Sequence, residues 1–185
     1  MGYVTKEIKV DHLNKCYLAT RGNDNILFIP SNITDVKLEI LPVSGNLQIL
    51  GGYGLISAQY MFYNVKVNTL DLTLLNNLNM VSMKNMFNGA SINNLLLGEN
   101  FFGPKVKDVK YMFNTKTKLN VDMSHVKVAH LSNIDYMFSG SNLGMIKLFN
   151  LDGVKSAVSL FEMAHVDLLD LSHWNITKLD NYNYC

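Results

Sequence analysis

Residues 131–148 read Leu131-Ser132-Asn133-Ile134-Asp135-Tyr136-Met137-Phe138-Ser139-Gly140-Ser141-Asn142-Leu143-Gly144-Met145-Ile146-Lys147-Leu148. Two periodicities meet here. Leu131, Ile134, Met137 and Phe138 fall three, three and one apart, the spacing of one helical face, whereas Ile146-Lys147-Leu148 alternates with the period of two of a half-buried strand. A helix or strand this short is not stable alone. The question is therefore whether the unit repeats.

It does. Phe62, Phe87, Phe113, Phe138 and Phe161 stand in the phrases YMF, NMF, YMF, YMF and SLF, with spacings of 25, 26, 25 and 23. With each Phe as origin, positions −7, −4, −1, 0, +8 and +10 are apolar in all five copies. At the background apolar content, chance gives this on the order of 10⁻⁹ to 10⁻¹⁰ of the time, so a solenoid is the first fold to consider. Position −5 holds Ser57, Ser82, Asp108, Asn133 and Ser156, all side chains that cap a helix start. Asn64, Gly89 and Gly140 come two residues past their Phe, where a left-handed stop belongs. This predicts a helix of about two turns per repeat. The phrases Leu70-Asp71-Leu72, Val121-Asp122-Met123, Ile146-Lys147-Leu148 and Leu169-Asp170-Leu171 predict a strand in each second half. Five rungs at the inter-strand spacing make a ladder about 20–25 Å long.

Before residue 55 the pattern weakens. Val36-Lys37-Leu38-Glu39-Ile40 and Leu47-Gln48-Ile49-Leu50 alternate like strands around a Ser44-Gly45-Asn46 turn, with the second strand read as the first rung. Residues 1–50 are read as an irregular N-terminal cap and 51–185 as a solenoid of about five repeats, one continuous domain. Terminal repeats are atypical because they shield an open end. Asn181-Tyr182-Asn183-Tyr184-Cys185 shows no cap, so a homodimer through the terminal rung is an expected option.

The phrases Leu169-Asp170-Leu171-Ser172-His173-Trp174-Asn175-Ile176-Thr177 and Leu131-Ser132-Asn133-Ile134-Asp135-Tyr136-Met137-Phe138 resemble the two halves of the BspA-like bacterial leucine-rich repeat of low-GC Gram-positive bacteria and mycoplasmas. The resemblance covers residues 47–180. It implies an α/β repeat, a right-handed leucine-rich-repeat solenoid with a parallel strand ladder on one face and short helices on the other. It also implies binding of other macromolecules, often as an adhesin, without catalysis.

The 185 residues are 48% hydrophobic and 17% charged, with a net charge near +1. That excludes a disordered chain and argues against a dedicated nucleic-acid binder, which carries a basic excess. Asparagine is the unusual feature: 23 residues, which calls for many turns. Cys16 and Cys185 lie near opposite ends and are read as unpaired thiols. No stretch of 18 apolar residues spans a membrane, Met1–Asp11 is too charged for a signal peptide, and Lys6 breaks a myristoylation motif at Gly2. The expected location is cytoplasmic as the sequence stands, or the cell surface if a leader has been removed.

Little points to chemistry. His125 and His130 are five apart, not the four of a helical pair, and His12 with Cys16 lacks a second pair for a tetrahedral metal. Gly51-Gly52-Tyr53-Gly54 lacks the spacing of a phosphate loop, and nothing marks a nucleophile with an orienting base. The expectation is no enzyme, no cofactor and no metal. Met61, Met86, Met112 and Met137 occupy a repeated slot and are read as core. The sequons at Asn32 and Asn175 are read as coincidence in an Asn-rich chain. Lys105, Lys107, Lys110, Lys116 and Lys118, with Lys127 nearby, form a basic run, read as a solvated face and, more weakly, as a nucleic-acid contact.

The strand face turned away from the core is the better candidate site. Asp71, Leu96, Asp122, Lys147 and Asp170 are its central positions, flanked by Thr69, Asn94, Asn120, Met145 and Leu168 on one side and Thr73, Gly98, Ser124, Phe149 and Ser172 on the other. Apolar groups on such a wall signal a covering partner, another protein. The expected partner-binding residues are Asp71, Leu96, Asp122, Lys147, Phe149, Leu168 and Asp170. Two roles fit: surface adhesion, or an intracellular inhibitor of the phage or mobile-element type that blocks a partner protein.

Overall fold

The computed structural model describes residues 2–38, 41, 43–128, 130–172 and 174–184. Among them are nine strands in one sheet, in chain order: β1 (Val4–Lys9), β2 (Lys15–Arg21), β3 (Asp24–Ile29), β4 (Asn46–Gly51), β5 (Lys66–Asp71), β6 (Ser91–Leu96), β7 (Leu119–Asp122), β8 (Asn142–Lys147) and β9 (His165–Asp170). β1, β2 and β3 form an antiparallel meander, and from β3 onward each strand pairs parallel with the next. Gly22 at φ 61° closes the two-residue turn between β2 and β3, where a side chain would strain the backbone. One rung of the ladder follows another, and the interior slots Leu47, Leu70, Leu95, Val121 and Ile146 are all buried.

No described residue is helical, and the fold is an all-β solenoid. This overturns the resemblance to BspA-like leucine-rich repeats and the α/β solenoid with short helices that it implied. The segment read as a helix is a run of turns. Tyr60, Asn85, Tyr111, Tyr136 and Ser159, two residues before each Phe, have φ of 57°, 55°, 56°, 57° and 52°. A right-handed helix cannot contain such a residue. Met61, Tyr63 and Val65 donate backward to Ala58, Tyr60 and Phe62, three residues away, at 3.1, 3.0 and 3.2 Å. The N–H groups in between turn outward to the next rung: Ala58, Phe62 and Asn64 donate to the carbonyls of Ser82, Met86 and Asn88 at 2.9, 2.9 and 3.1 Å. From Ser57 to Val65 every backbone donor thus has a partner without an i→i−4 bond.

The residues read as helix caps begin these turns. Ser57, Ser82 and Asp108 accept from the N–H two residues on, at 3.2, 3.4 and 3.2 Å, and Asn133 does so at 2.9 Å. Ser57 and Ser82 bridge parallel to one another, as do Ser82 and Asp108, so the turn side carries its own ladder. The left-handed stops expected at Asn64, Gly89 and Gly140 are present, and Met163 adds a fourth after Phe161, whereas Thr115 after Phe113 is not left-handed.

The Phe residues form the axis of the core. Phe62, Phe87, Phe113, Phe138 and Phe161 stack in one column, with centroid separations of 5.6, 5.4, 4.9 and 5.2 Å and tilts between 10° and 28°. Met61, Met86, Met112 and Met137 are fully buried beside them.

The N-terminal region departs from its sequence reading. Val36 to Leu38 is not a strand: Asp35 bridges Ser57 and Leu38 N–H donates to Met61 O at 2.8 Å, which places this stretch on the turn side above the next rung. Glu39 and Ile40 lie outside the described residues. β4 is a strand, but β3 precedes it in the parallel ladder, so it is not the first rung. Alternation of buried residues is shared by strands and by these turn runs, because both send every second N–H to a neighbouring rung.

Cys16 is buried on β2, and desolvation pushes its thiol up to about 11. Cys185, like His173, lies outside the described residues. In a Cys185→Ser variant the remaining thiol should resist Ellman's reagent at pH 8 until denaturant is added. Because the unfolded thiol ionises first, stability falls as pH rises from the ordinary thiol range toward 11. Fast labelling of the native protein would show that β2 is open.

Candidate functional site

The outward face of the ladder is built by strand register. Ile26 stands beside Gln48, Gln48 beside Asp71, and Asp71 beside Leu96; further on, Asp122 stands beside Lys147 and Lys147 beside Asp170. A second row runs Asp24, Asn46, Thr69, Asn94 and Asn120, and Met145 stands beside Leu168. Between β7 and β8 the register slips at a bulge, and Asn120 Oδ1 accepts the Met145 N–H at 2.7 Å there. A side-chain amide oxygen thus takes the place of a ladder carbonyl and fixes where Met145 points.

The three acids of the central row, Asp71, Asp122 and Asp170, have local work. Asp71 Oδ1 accepts the Thr73 N–H at 2.9 Å and its hydroxyl at 2.6 Å, while Gln48 donates to Asp71 Oδ2 at 2.9 Å. Asp122 accepts the Ser124 hydroxyl and N–H at 2.6 and 3.0 Å and faces Lys147 Nζ at 3.5 Å. The Ser124 hydroxyl bond, helped by the Ser124 N–H and by Lys147, holds its carboxyl below the usual carboxylate range against partial desolvation. Asp170 accepts from Ser172 N–H at 2.9 Å. Each acid therefore caps the turn that ends its strand, an Asx turn.

The apolar members divide. Leu96, Met145 and Leu168 are 47%, 42% and 58% exposed, and Met145 and Leu168 are direct cross-rung neighbours. Phe149 is 0% exposed and packs edge-on against Phe102 at 5.7 Å, so it is not part of the face. Strict alternation from Met145 fails because the chain turns inward after β8, and Leu148 and Phe149 are both buried. The sequence reading also missed the start of the sheet, where Tyr17 and Phe28 pair directly across β2 and β3 and are both exposed. The alternation Cys16-Tyr17-Leu18 and the Gly22-Asn23 turn carried that signal.

The basic run does not form one patch. Lys118 pairs with Asp167 at 2.6 Å and Lys127 with Glu99 at 2.6 Å. Lys105 donates to Asn79 at 2.8 Å, Lys116 donates to Asn64 at 3.0 Å, and Lys110 lies over the Tyr136 ring at 5.8 Å. Among the described residues no group of three His, Cys, Asp or Glu side chains is placed to hold a metal ion. A hollow of about 560 Å³ lies between the Thr73–Leu78 and Gly98–Pro104 loops and is open to solvent. No described helix is long and apolar enough to cross a membrane.

Fold and face together define a repetitive all-β solenoid whose ladder presents an extended surface able to mediate protein contacts. Residues 56–174 match the family model described as "Mycoplasma protein of unknown function, DUF285", and the chain belongs to that family. No curated protein and no solved structure shows significant similarity to it.

Proposed function

We propose that this chain is a non-catalytic protein-binding module that docks a partner protein on the outward face of its later rungs. One observation carries the reading: Leu96, Met145 and Leu168 stand exposed on a wall whose other positions are mostly polar, with Met145 and Leu168 in register. Exposed apolar side chains set among polar groups, as Met145 and Leu168 are on neighbouring strands, are the composition of a docking hot spot. Lys147 between Asp122 and Asp170 supplies a charged rim that orients a partner more than it adds affinity. The dispersed and partly paired lysines favour protein over nucleic acid.

A Leu96→Asp, Met145→Asp, Leu168→Asp variant should fold, since all three side chains already face water. Immobilised wild type and variant are compared against lysate of the source organism and against host-cell extract. A partner held by the wild type should bind the variant at least tenfold more weakly, the usual scale of a lost hot spot. The compartment of that partner separates surface adhesion from intracellular blocking. Equal capture by both forms would move the site elsewhere.

A further inference from the structure

The outward face is not level along the ladder. The row Asp24, Asn46, Thr69, Asn94 and Asn120 begins exposed, is half-buried at Asn46 and Thr69, and is exposed again from Asn94 onward. In the neighbouring row Ile26, Gln48 and Asp71 are half-buried and Leu96 beyond them is exposed. Together they line a hollow of about 290 Å³ over β3 to β6, with Tyr3 also in its wall. The Arg21 guanidinium lies 4.8 Å from the centre of the Tyr3 ring and steadies it there.

Two amide–carboxylate pairs fix the polar groups of this hollow. Asn46 donates to Asp24 Oδ1 at 3.0 Å and Gln48 donates to Asp71 Oδ2 at 2.9 Å, each across one rung. What the pairs leave open is mainly acceptors. Among the described residues Asp24 Oδ2, Gln48 Oε1 and the Thr69 hydroxyl have no hydrogen-bond partner. A ligand matched to that set brings several O–H donors. No Lys, Arg or His side chain is among the described residues lining the hollow, and its two carboxylates repel an anion. Ile26, Leu96 and the Tyr3 ring add apolar surface, which suits the C–H face of a ring and gives nothing to a bare ammonium.

We infer that this hollow is a saccharide site that takes one neutral pyranose unit, free or at the end of a glycan. The sugar hydroxyls donate to Asp24 Oδ2 and Gln48 Oε1, and its C–H groups lie against Ile26, Leu96 and Tyr3. Acidic and phosphorylated sugars are repelled by Asp24 and Asp71. The ladder holds the side chains in place beforehand, yet an open hollow covers only one side of the ligand. Affinity for a monosaccharide is therefore weak, on the order of millimolar. The inference stands apart from protein docking at Met145 and Leu168, neither of which lines the hollow.

Saturation-transfer NMR on the full chain tests it, with glucose, galactose, mannose and N-acetylglucosamine as neutral probes. Glucuronate, glucose 6-phosphate and spermidine are the charged comparisons. At least one neutral sugar should take up saturation at its ring C–H protons, and the charged compounds should not. Asp24→Asn, which turns an acceptor into a donor at nearly constant shape, should weaken that binding about tenfold, the scale of one lost charge-assisted hydrogen bond. Tyr3→Ala and Gln48→Ala should weaken it as well. All three variants should keep the wild-type melting temperature and still capture a protein partner, so a failure here leaves the docking reading untouched. Three results would each overturn the inference: no neutral sugar saturated, spermidine or an anionic sugar bound in their place, or all three variants binding like the wild type.

Discussion

Replacing Phe138 with alanine should destabilise the protein by about 3–5 kcal/mol, the range for truncating a fully buried aromatic residue. Phe138 is 0% exposed and lies between Phe113 at 4.9 Å and Phe161 at 5.2 Å. Truncation removes both stacks, each worth about 0.5–1.5 kcal/mol beyond area burial, and leaves a cavity that the rigid backbone of neighbouring rungs cannot close. In a solenoid each rung is stabilised mainly by its nearest neighbours. The loss should therefore also weaken coupling between the rungs before and after Phe138, seen as a shallower denaturant slope. Phe62 stacks only on Phe87 among the described rings, at 5.6 Å, and its alanine variant should lose less. Equilibrium unfolding in urea checks both. A loss below about 1 kcal/mol for Phe138→Ala would contradict the stacked column.

Gly103→Ala should be nearly as damaging, at about 3 kcal/mol or more, although it adds a single methyl group. A Cβ at Gly103 would sit 2.0 Å from the Asn77 carbonyl oxygen and 2.8 Å from its carbon. Backbone cannot yield as a side-chain tip can, so the loops of two rungs must separate. That separation would disturb the Asn77 amide, which donates to Phe101 O at 2.7 Å, and the Val106 N–H, which donates to Gly103 O at 3.1 Å. Phe101 and Phe102, both buried, would lose their cover. Gly2→Ala, with nothing within 4 Å of the added Cβ, is the matched control and should melt like the wild type. Equal melting of the two alanine variants would place the Gly103 loop away from Asn77.

The layout of the outward face was legible in part. Leu96 and Leu168 are exposed on the outward face as the alternation required, and Asp71, Asp122, Lys147 and Asp170 stand in its central row. The turn-capping work of the three acids was not read from the sequence, which took them only as outward partner-binding positions. Phe149 was misplaced because alternation holds only while the strand continues, and β8 ends at Lys147. Tyr17 and Phe28 were passed over because they lie outside the repeat that commanded the reading.

The amino-acid sequence by itself determined the repeat length, the buried slots, the strand in each second half, and the left-handed residues at Asn64, Gly89 and Gly140. These are properties of spacing and of single residue types. Only the tertiary structure decided what the first half of each repeat becomes. Apolar residues at −7, −4, −1 and 0 suit a short helix and a run of turns equally well. The choice depends on whether the Ala58 and Phe62 N–H groups find acceptors within their own segment or at Ser82 and Met86, a rung away. Once rungs stack, alternate donors are satisfied between them, and the left-handed residues at Tyr60, Asn85, Tyr111, Tyr136 and Ser159 close the turns. No local pattern contains that neighbour, so the helix was read where stacking forbids it.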